Sequence, residues 1–166
     1  MEIVELMKKD LSALAELFRQ FWNESSEVEK MAVMFERLSE DPDYVLFAAK
    51  QDDILVGFSM GIVCQTLYGD CSPFMVIEDF VVDEKHRRAG IGKALMTALE
   101  QEAIRQGCSQ AIFVTEKDRK DAHSFYAAQG YSPDTQKGFK KRLGGHQNAA
   151  VHLSGPGTSG SIPPNS

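Results

Sequence analysis

Two adjacent carboxylates interrupt the most strand-like run of the chain. The run is FMVIEDFVV, residues 74–82, and the carboxylates belong to Glu78 and Asp79. Burying an unpaired carboxylate is costly, so these side chains must be solvated, paired in a salt bridge, or used in proton transfer. On a regular strand they point to opposite faces, so that only one of them could serve a given site unless a β-bulge changes the alternation.

Glycine and arginine are concentrated where a long helix begins. In HRRAGIGKALMTALEQEA, which starts at His86, Gly90 and Gly92 would each destabilise a helix by roughly 0.5–1 kcal/mol relative to alanine. Arg87 and Arg88 lie at the helix end where the macrodipole disfavours cations. Both features are explained if the free N–H groups of the first turn bind an anion such as a phosphate. The alternative is an ordinary strand-to-helix turn with exposed arginines, and the sequence contains neither a G-x-x-x-x-G-K-[ST] nor a G-x-G-x-x-G motif.

A tyrosine near the end of the charged part of the chain is the third candidate. Tyr126 lies in DAHSFYAAQGY, residues 121–131. Its phenol, with an ordinary pKa of about 10, stays protonated at neutral pH and can act as a general acid. Taken alone, Tyr126 is better explained as a core aromatic with one hydrogen bond. His123 is expected to be packed or exposed, and His86 to face solvent.

Helices and strands alternate around these candidates in the order β-α-α-β-β-β-α-β-α-β-β. Strands are predicted at 2–7, 44–50, 54–66, 74–82 and 110–115, with a final hairpin at 131–136 and 138–143. Helices are predicted at 10–22, about 26–39, 90–107 and 119–129. Asp10 is expected to cap the first helix, and Gly107 and Gly130 to end the last two. This order implies an α/β (α+β) fold, with a mixed sheet covered by helices on both faces.

Composition excludes several classes of protein. The chain has 166 residues, is 43% hydrophobic and carries a formal net charge of -6, which argues against nucleic acid as the main partner and favours cationic substrates. No apolar run is long enough to span a bilayer, and the start MEIVELMKKD is unlike a signal peptide, so no membrane partner is expected. Cys64, Cys71 and Cys108 lack metal-type spacing, which predicts free thiols in a reducing cytoplasm and no metal site.

The last 23 residues differ from the rest because every Asp, Glu, Lys and Arg precedes Gly144. A segment rich in Gly, Ser and Pro buries too little apolar surface to offset its ordering entropy. We therefore expect a folded domain at 1–143 and a flexible tail at 144–166, which is either a genuine extension or a read-through artefact.

The segment VVDEKHRRAGIGKAL resembles the acetyl-CoA-binding motif of the GNAT superfamily of N-acetyltransferases. That motif is a strand ending in Val followed by [RQ]-x-x-G-x-[GA] at the start of a long helix, and Val82, Arg87, Gly90 and Gly92 match it. The resemblance implies that main-chain amides of this loop bind the CoA pyrophosphate. The loop residues that it assigns to the cofactor are Arg87, Arg88, Ala89, Gly90, Ile91, Gly92 and Lys93.

DAHSFYAAQGY resembles the second motif of the same family, the helix N-x-x-A-x-x-x-Y followed by a Gly-aromatic pair. Ala122, Tyr126, Gly130 and Tyr131 match it, whereas Arg119 stands where an Asn is common. The version with Arg is similar to that of aminoalkylphosphonate N-acetyltransferases. This second resemblance adds Arg119, Ala122 and Tyr126 to the residues expected to contact acetyl-CoA.

The resemblance covers residues 1–143 and implies the GNAT fold. That fold has a central mixed, mostly antiparallel sheet of about seven strands flanked by four helices, and its fourth and fifth strands splay apart beside a common bulge. The likeness implies that an N–H among Phe80, Val81 and Val82 stabilises the oxyanion, and that this strand pairs with the pantetheine arm. Tyr126 would be the general acid. VIEDFVV also resembles spermidine/spermine and glucosamine-phosphate N-acetyltransferases, which favours Glu78 for amine contact or as a water-mediated base, with Asp79 second.

The first two helices commonly form the acceptor wall in this family. Here the first helix carries Phe18, Phe21 and Trp22 at helical spacing, a pattern that is otherwise typical of a core. The connection NESSEVE, residues 23–29, is expected either to be solvated or to present Glu24 and Glu27 to a cationic substrate.

The function that the resemblance implies is a cytoplasmic, homodimeric enzyme that transfers acetyl from acetyl-CoA directly to a primary amine. Neither motif contains a cysteine, in agreement with direct attack. The expected acceptor is a small cationic amine such as a polyamine, an amino sugar or an aminoglycoside. The alternatives are an aminoalkylphosphonate or protein acceptor, or a non-catalytic acyl-CoA-binding sensor.

Overall fold

A computed structural model describes residues 1–132, 138–141 and 143. Residues Met1–Pro133 form one compact unit. The predicted tail at 144–166 lies outside the described residues, as do residues 133–136 and 142 of the predicted final hairpin. The described residues of that hairpin, at 131–132, 138–141 and 143, are not in a strand.

The described residues form five strands and four α-helices in the predicted order. The strands are β1 (Glu2–Glu5), β2 (Tyr44–Gln51), β3 (Ile54–Cys64), β4 (Phe74–Val82) and β5 (Ala111–Ile112). The helices are α1 (Leu11–Trp22), α2 (Val28–Ser39), α3 (Ile91–Arg105) and α4 (Lys120–Ala128). Short 3₁₀ turns at Lys8–Asp10 and Glu84–His86 precede α1 and α3.

The strands form one mixed sheet in the order β1-β2-β3-β4-β5. The first three pairings are antiparallel and β4 pairs with β5 in parallel, which confirms the predicted sheet class. The hairpin between β2 and β3 turns at Asp52 and Asp53, both with positive φ, as in the type I′ turns that suit the twist of a hairpin.

Helices cover both faces of the sheet, as the order of elements predicted. The neighbours Ala48 and Ala49 on β2 show this, because Ala48 packs in a cluster with α1 residues and Ala49 in one with α3 residues. The α1 side of the core contains Leu6, Leu11, Leu14, Leu17, Leu55, Phe58 and Val81, with α2 packed against it. The α3 side contains Met75, Ile77, Ile91, Leu95, Met96 and Leu99.

Asp10 does not cap α1 with its side chain, so that part of the prediction was wrong. A 3₁₀ turn precedes the helix, and the Asp10 carboxylate accepts a hydrogen bond from Met7 N at 3.0 Å. It also forms an ion pair with Lys50 Nζ at 2.9 Å, in which both side chains are buried. The carboxylate therefore ties the start of α1 to β2 instead of satisfying the first amides of the helix.

Gly107 and Gly130 end their helices as expected, with φ of 77° and 90°. The fifth strand is shorter than its predicted span of 110–115, because only Ala111 and Ile112 pair with β4. Beyond these two pairs β4 continues to Val82 without β5 as its partner.

Candidate active site

β4 contains a bulge at the two carboxylates. Glu78 pairs with Met60 and Val81 pairs with Phe58, so that β4 carries one more residue than β3 over this interval. Asp79, inside the bulge, has a φ of 50°, a left-handed conformation that Asp tolerates better than most residues.

The bulge reverses which face of the sheet each later side chain occupies. Met75 and Ile77 pack on the α3 side before it, and Phe80 and Val82 pack on that side after it. Val81, which regular alternation would place with Met75 and Ile77, packs instead with the α1 residues. The bulge thus places Asp79 and Phe80 at the point where the side chains change faces.

The splay between β4 and β5 leaves one edge of β4 open. β5 pairs only with Met75 and Val76, and within the described chain the stretch 77–82 has no β5 partner. Phe80, Val81 and Val82, which the resemblance assigns to the cofactor, all lie on this stretch. Main-chain groups at such an edge can pair with an extended ligand as they would with another strand.

The two carboxylates occupy different environments. Glu78 is exposed, whereas Asp79 is partly buried and lines a cavity of about 320 Å³. The other lining residues are Phe18, Trp22, Glu24, Ser25 and Ser26, from the end of α1 and the α1–α2 connection. Burial raises the pKa of Asp79, and the negative charge of Glu78 raises it further. The cavity therefore contains Asp79, although the sequence favoured Glu78.

The end of α1 supplies the aromatic wall of this cavity. The ring centroids of Phe18 and Trp22 lie 5.2 Å apart, and those of Phe21 and Trp22 lie 4.7 Å apart at a steep angle. Trp22 remains 43% exposed, so part of its ring is accessible to a ligand. The aromatic stripe of α1 thus contributes to both the core and the cavity, the two roles that the sequence left open.

The start of α3 has the backbone geometry of an anion site. Gly90 has a φ of 82° and Arg88 a φ of 64°. The helical hydrogen bonds begin with Ala94 N, which donates to Gly90 O at 3.0 Å. The amides of the three preceding residues, at 91–93, come before this first bond and belong to the positive end of the helix dipole. The loop residues 87–90 are exposed, so that a phosphate could reach these donors.

Gly92 brings this helix start into contact with the aromatic residues near Tyr126. A Cβ atom on Gly92 would lie 3.2 Å from Phe125 Cζ and 3.6 Å from Phe80 Cε1. Phe80 is 6.1 Å from Phe125 and 6.3 Å from Tyr126 between ring centroids. The glycine therefore permits a close approach that a larger residue would prevent.

Tyr126 lies near β4, with 6.3 Å between its ring centroid and that of Phe80. Its ring packs against Phe113, with 4.1 Å between centroids, and the side chain is partly buried. Burial raises the pKa of the phenol, while the positive charge of Arg119 acts in the opposite direction. The phenol is consequently protonated at neutral pH, as a general acid must be. Ala122, one turn earlier on α4, is partly buried.

Arg119 makes a contact that the sequence did not predict. Its guanidinium carbon lies 4.2 Å from the ring centroid of Phe21 on α1. No local pattern could have revealed this contact, because the two residues are far apart in sequence.

Both histidines of the described chain have partners outside the cavity. His123 Nε2 lies 3.0 Å from Glu116 O, and His86 Nδ1 forms a short hydrogen bond with Asp83. Neither histidine lines the cavity that contains Asp79. His86 is only partly exposed, so its expected solvent-facing position is modified by the Asp83 contact.

The described residues contain neither a metal-binding cluster nor a membrane-spanning helix. No group of three or more His, Cys, Asp or Glu side chains there is arranged to hold a metal ion. Within the same part of the chain, no helix combines the length and apolarity that a membrane crossing requires. Cys64, Cys71 and Cys108 are free thiols.

The splayed sheet, the bulge and the glycine-rich helix start together define an acetyltransferase fold. A model of the acetyltransferase (GNAT) family matches residues 11–131. The chain therefore belongs to the GNAT acetyltransferase family and is an acyltransferase, and enzymes of this family use acetyl-CoA.

Solved structures show the same fold. Glucosamine-6-phosphate N-acetyltransferase from Arabidopsis thaliana is 22% identical with a TM-score of 0.76, and the match covers 86% of this chain and 98% of that one. An acetyltransferase from Trypanosoma brucei is 25% identical, with a TM-score of 0.68 and coverage of 86% and 98%. The aminoglycoside acetyltransferase AAC(6')-Iy, solved with a CoA-containing bisubstrate analogue, is 20% identical, with a TM-score of 0.72 and coverage of 85% and 97%. None of the curated proteins matched the chain.

The residues present fit acetyl-CoA. The positive φ of Gly90 and the amides at the start of α3 suit a phosphate, and the open edge of β4 suits an extended amide-containing arm. Thr115, just beyond β5, has a buried hydroxyl with no hydrogen-bond partner among the described residues. Most buried hydroxyls in folded proteins have a hydrogen-bond partner.

Proposed function

We propose that the protein transfers acetyl from acetyl-CoA directly to a primary amine of a small cationic acceptor such as a polyamine, an amino sugar or an aminoglycoside. The observation that carries this proposal is the position of Asp79. Its carboxylate lines a cavity with Phe18 and Trp22, at the bulge of the strand whose open edge faces the predicted acetyl-CoA site.

The cavity has the chemistry of an ammonium site. Asp79 and Glu24 supply carboxylates, and the exposed part of Trp22 supplies an aromatic face that attracts cations. Ser25 and Ser26 add hydroxyls that can bond to hydroxyl or amine groups of an acceptor. The net charge of -6 favours the approach of a cation to the whole molecule.

Asp79 is the proposed proton acceptor. An alkyl amine with a pKa of about 10 is protonated at neutral pH, and must lose a proton before it can attack a carbonyl carbon. A carboxylate with a raised pKa is a stronger base than an ordinary one, so partial burial suits Asp79 to this role. Glu78 is exposed and does not line the cavity, so it is the second candidate for contact with the amine. Its negative charge contributes to the raised pKa of Asp79.

The remaining steps use the open edge of β4 and the phenol of Tyr126. Acetyl-CoA supplies the activated acetyl thioester. A main-chain N–H among Phe80, Val81 and Val82 is the proposed donor to the oxygen on which negative charge develops. Tyr126 is the proposed donor of a proton to the departing sulfur, and its phenol carries that proton at neutral pH.

The proposed acetyl-CoA contacts are those that the resemblance assigned, with the exception of Arg119, whose guanidinium lies on the ring of Phe21. They comprise the loop and helix start at 87–93, the edge residues at 80–82, and Ala122 and Tyr126 on α4. Positioning by these contacts, with no covalent intermediate on the enzyme, is sufficient for direct transfer.

The test is acetyl-CoA-dependent thiol release across a panel of polyamines, amino sugars, aminoglycosides, aminoalkylphosphonates and amino acids. Selective turnover of cationic amines is the expected result. Turnover of aminoalkylphosphonates alone would refute the cationic acceptor while keeping the enzyme. If calorimetry detects acetyl-CoA binding but no amine turns over, a protein acceptor or a sensor replaces the proposal.

Two further expectations stay predictions. The resemblance to the family leads us to expect a homodimer, and sedimentation equilibrium of the purified protein tests this expectation. A cytoplasmic location is expected from the unpaired cysteines and is tested by cell fractionation.

A further inference from the structure

The contact between Arg119 and Phe21 connects α1 to the segment that directly precedes α4. Phe21 lies on α1, which packs against β3 and β4, whereas Arg119 directly precedes α4, which follows β5. β4 and β5 part after Val76. The guanidinium carbon lies 4.2 Å from the ring centroid, within the range of about 6 Å at which a cation–π attraction operates.

Phe21 connects the contact to the proposed acceptor cavity through its neighbour Trp22. Phe21 packs edge-on against Trp22, with 4.7 Å between centroids. Trp22 in turn contacts Phe18 and lines the cavity with Asp79. A guanidinium seated on Phe21 therefore supports the outer side of the wall against which an acceptor would lie.

Arg119 connects the contact to Tyr126, the proposed general acid. Arg119 is the N-cap position of α4, and Tyr126 lies on the same helix. The positive charge of Arg119 is felt at the phenol of Tyr126. The residue thus stands between the acceptor wall and the group that completes the reaction.

We propose that Arg119 is a positioning residue that holds Phe21, and through it Trp22, in place at the acceptor cavity. Loss of the Arg119 guanidinium should therefore weaken binding of the acceptor and leave the affinity for acetyl-CoA unchanged. This inference rests on the proposed function, because it takes the cavity beside Asp79 as the acceptor site. It departs from the role that the resemblance gave Arg119, which was contact with acetyl-CoA.

The cation–π contact between Arg119 and Phe21 requires a guanidinium and an aromatic ring, and this requirement guides the choice of variants. A planar guanidinium stacks on an aromatic face, whereas a lysine ammonium is a compact, strongly hydrated charge. Phe21→Tyr keeps the aromatic face, and Phe21→Leu keeps apolar bulk without it. Arg37→Ala is a matched control, since Arg37 is an exposed arginine on α2.

Trp22 provides a readout that does not depend on activity. It is the only tryptophan of the chain, so that intrinsic tryptophan fluorescence reports on the cavity wall alone. Arg119→Ala and Phe21→Leu should both increase acrylamide quenching of Trp22, and Arg37→Ala and Phe21→Tyr should not. Unchanged quenching in Arg119→Ala overturns the proposal even if no amine substrate is found.

A kinetic experiment uses the amine from the panel that has the highest kcat/KM. Arg119→Ala and Phe21→Leu should each raise the acceptor KM about fivefold, the factor expected for loss of one exposed cation–π contact. The double variant should be no worse than either single variant, because both remove the same interaction. The Kd of acetyl-CoA, measured by calorimetry, should stay within about twofold of the wild-type value.

The opposite pattern overturns the inference. A weaker acetyl-CoA Kd with an unchanged acceptor KM in Arg119→Ala would return Arg119 to the cofactor site. Additive effects in the double variant would show that the two residues act independently. If the wild-type protein turns over no amine, the proposed function fails, and the quenching experiment alone decides whether Arg119 supports Trp22.

Discussion

Glu78 and Asp79 are adjacent in sequence but differ in exposure, because a bulge at Asp79 turns one carboxylate into a cavity and leaves its neighbour in solvent. The pair is therefore electrostatically coupled without being equivalent. The exposed charge of Glu78 disfavours ionisation of the partly buried Asp79. This arrangement allows one residue to adjust the basicity of the other.

The first prediction concerns the pH dependence of turnover. A base acts only when deprotonated, so activity should fall as the pH drops through the raised pKa of Asp79. Glu78→Gln removes a negative neighbour, which lowers the pKa of Asp79 and should move the acidic limb of kcat/KM to lower pH. A pH–rate profile of both proteins measures this shift. An unmoved limb would mean that Asp79 is not the titrating base.

The second prediction concerns the stability of Asp79→Asn. The folded-state pKa of Asp79 lies above its unfolded value, so the carboxyl destabilises the fold as the pH rises above the unfolded pKa, and the effect is complete above the folded pKa. Asn accepts the φ of 50° as readily as Asp. The variant should therefore have a higher Tm than wild type at pH 7, with the difference vanishing below the ordinary aspartate pKa, and should lose about 10²–10⁴-fold in turnover. Thermal unfolding at pH 7 and in acid tests the first part, and a lower Tm at pH 7 contradicts it.

The third prediction concerns Tyr126→Phe. The substitution removes a hydroxyl and keeps the ring that packs on Phe113. Turnover should fall by about 10²–10⁴-fold, the usual contribution of a positioned acid, while acetyl-CoA binding and Tm stay close to wild type. Steady-state kinetics and calorimetry on the same preparation measure both. An active variant would assign the proton to water.

The fourth prediction compares two glycines with positive φ. Gly90 lies at the start of α3 and Gly69 in the β3–β4 loop, and an added Cβ meets nothing within 4 Å at either position. Alanine at either position should destabilise the fold by about 1–2 kcal/mol, the cost of a left-handed conformation. Only Gly90→Ala should weaken acetyl-CoA binding, because of the two loops only the one with Gly90 is proposed to bind the CoA phosphates. Equal binding by the two variants would remove the loop from the cofactor site.

The fifth prediction concerns the buried ion pair of Asp10 and Lys50. Lys50→Met leaves the Asp10 carboxylate buried without its partner, which should destabilise the fold by about 3–5 kcal/mol. The double variant Asp10→Leu/Lys50→Met should recover much of that loss, because it leaves no uncompensated charge. Urea denaturation of the three proteins measures the difference. A double variant as unstable as the single one would show that the Met7 hydrogen bond, and not the charge, is the essential feature.

The sequence predicted the fold where local patterns were strong. The apolar run at 74–82 corresponds to β4 residue for residue, and the helix that begins beside Gly90 starts within one residue of its predicted position. The capping role of Asp10 was wrong, because its partner Lys50 is brought to it only by the folded sheet. Residues distant in sequence decide such contacts, and local spacing carries no signal for them.

The sequence indicated candidate residues for the site but not their arrangement. Spacing selected those candidates, whereas the left-handed conformation of Asp79 has no signature in VIEDFVV. The contact between Arg119 and Phe21 is equally absent from any local pattern. Both depend on the bulge of β4 against β3 and on the end of its pairing with β5, which are properties of the assembled sheet.

The bulge has a consequence for how this chain can change over evolutionary time. Deleting one residue at 79 would exchange the faces of the three residues that follow, sending Phe80 and Val82 toward α1 and Val81 toward α3. Insertions and deletions in β4 are therefore coupled to the hydrophobic core and should be eliminated by selection. The α1–α2 connection around Ser25 and Ser26 carries no such constraint. Divergence in length should accordingly accumulate at the rim of the proposed acceptor cavity, where it changes the shape of the cavity without disturbing β4.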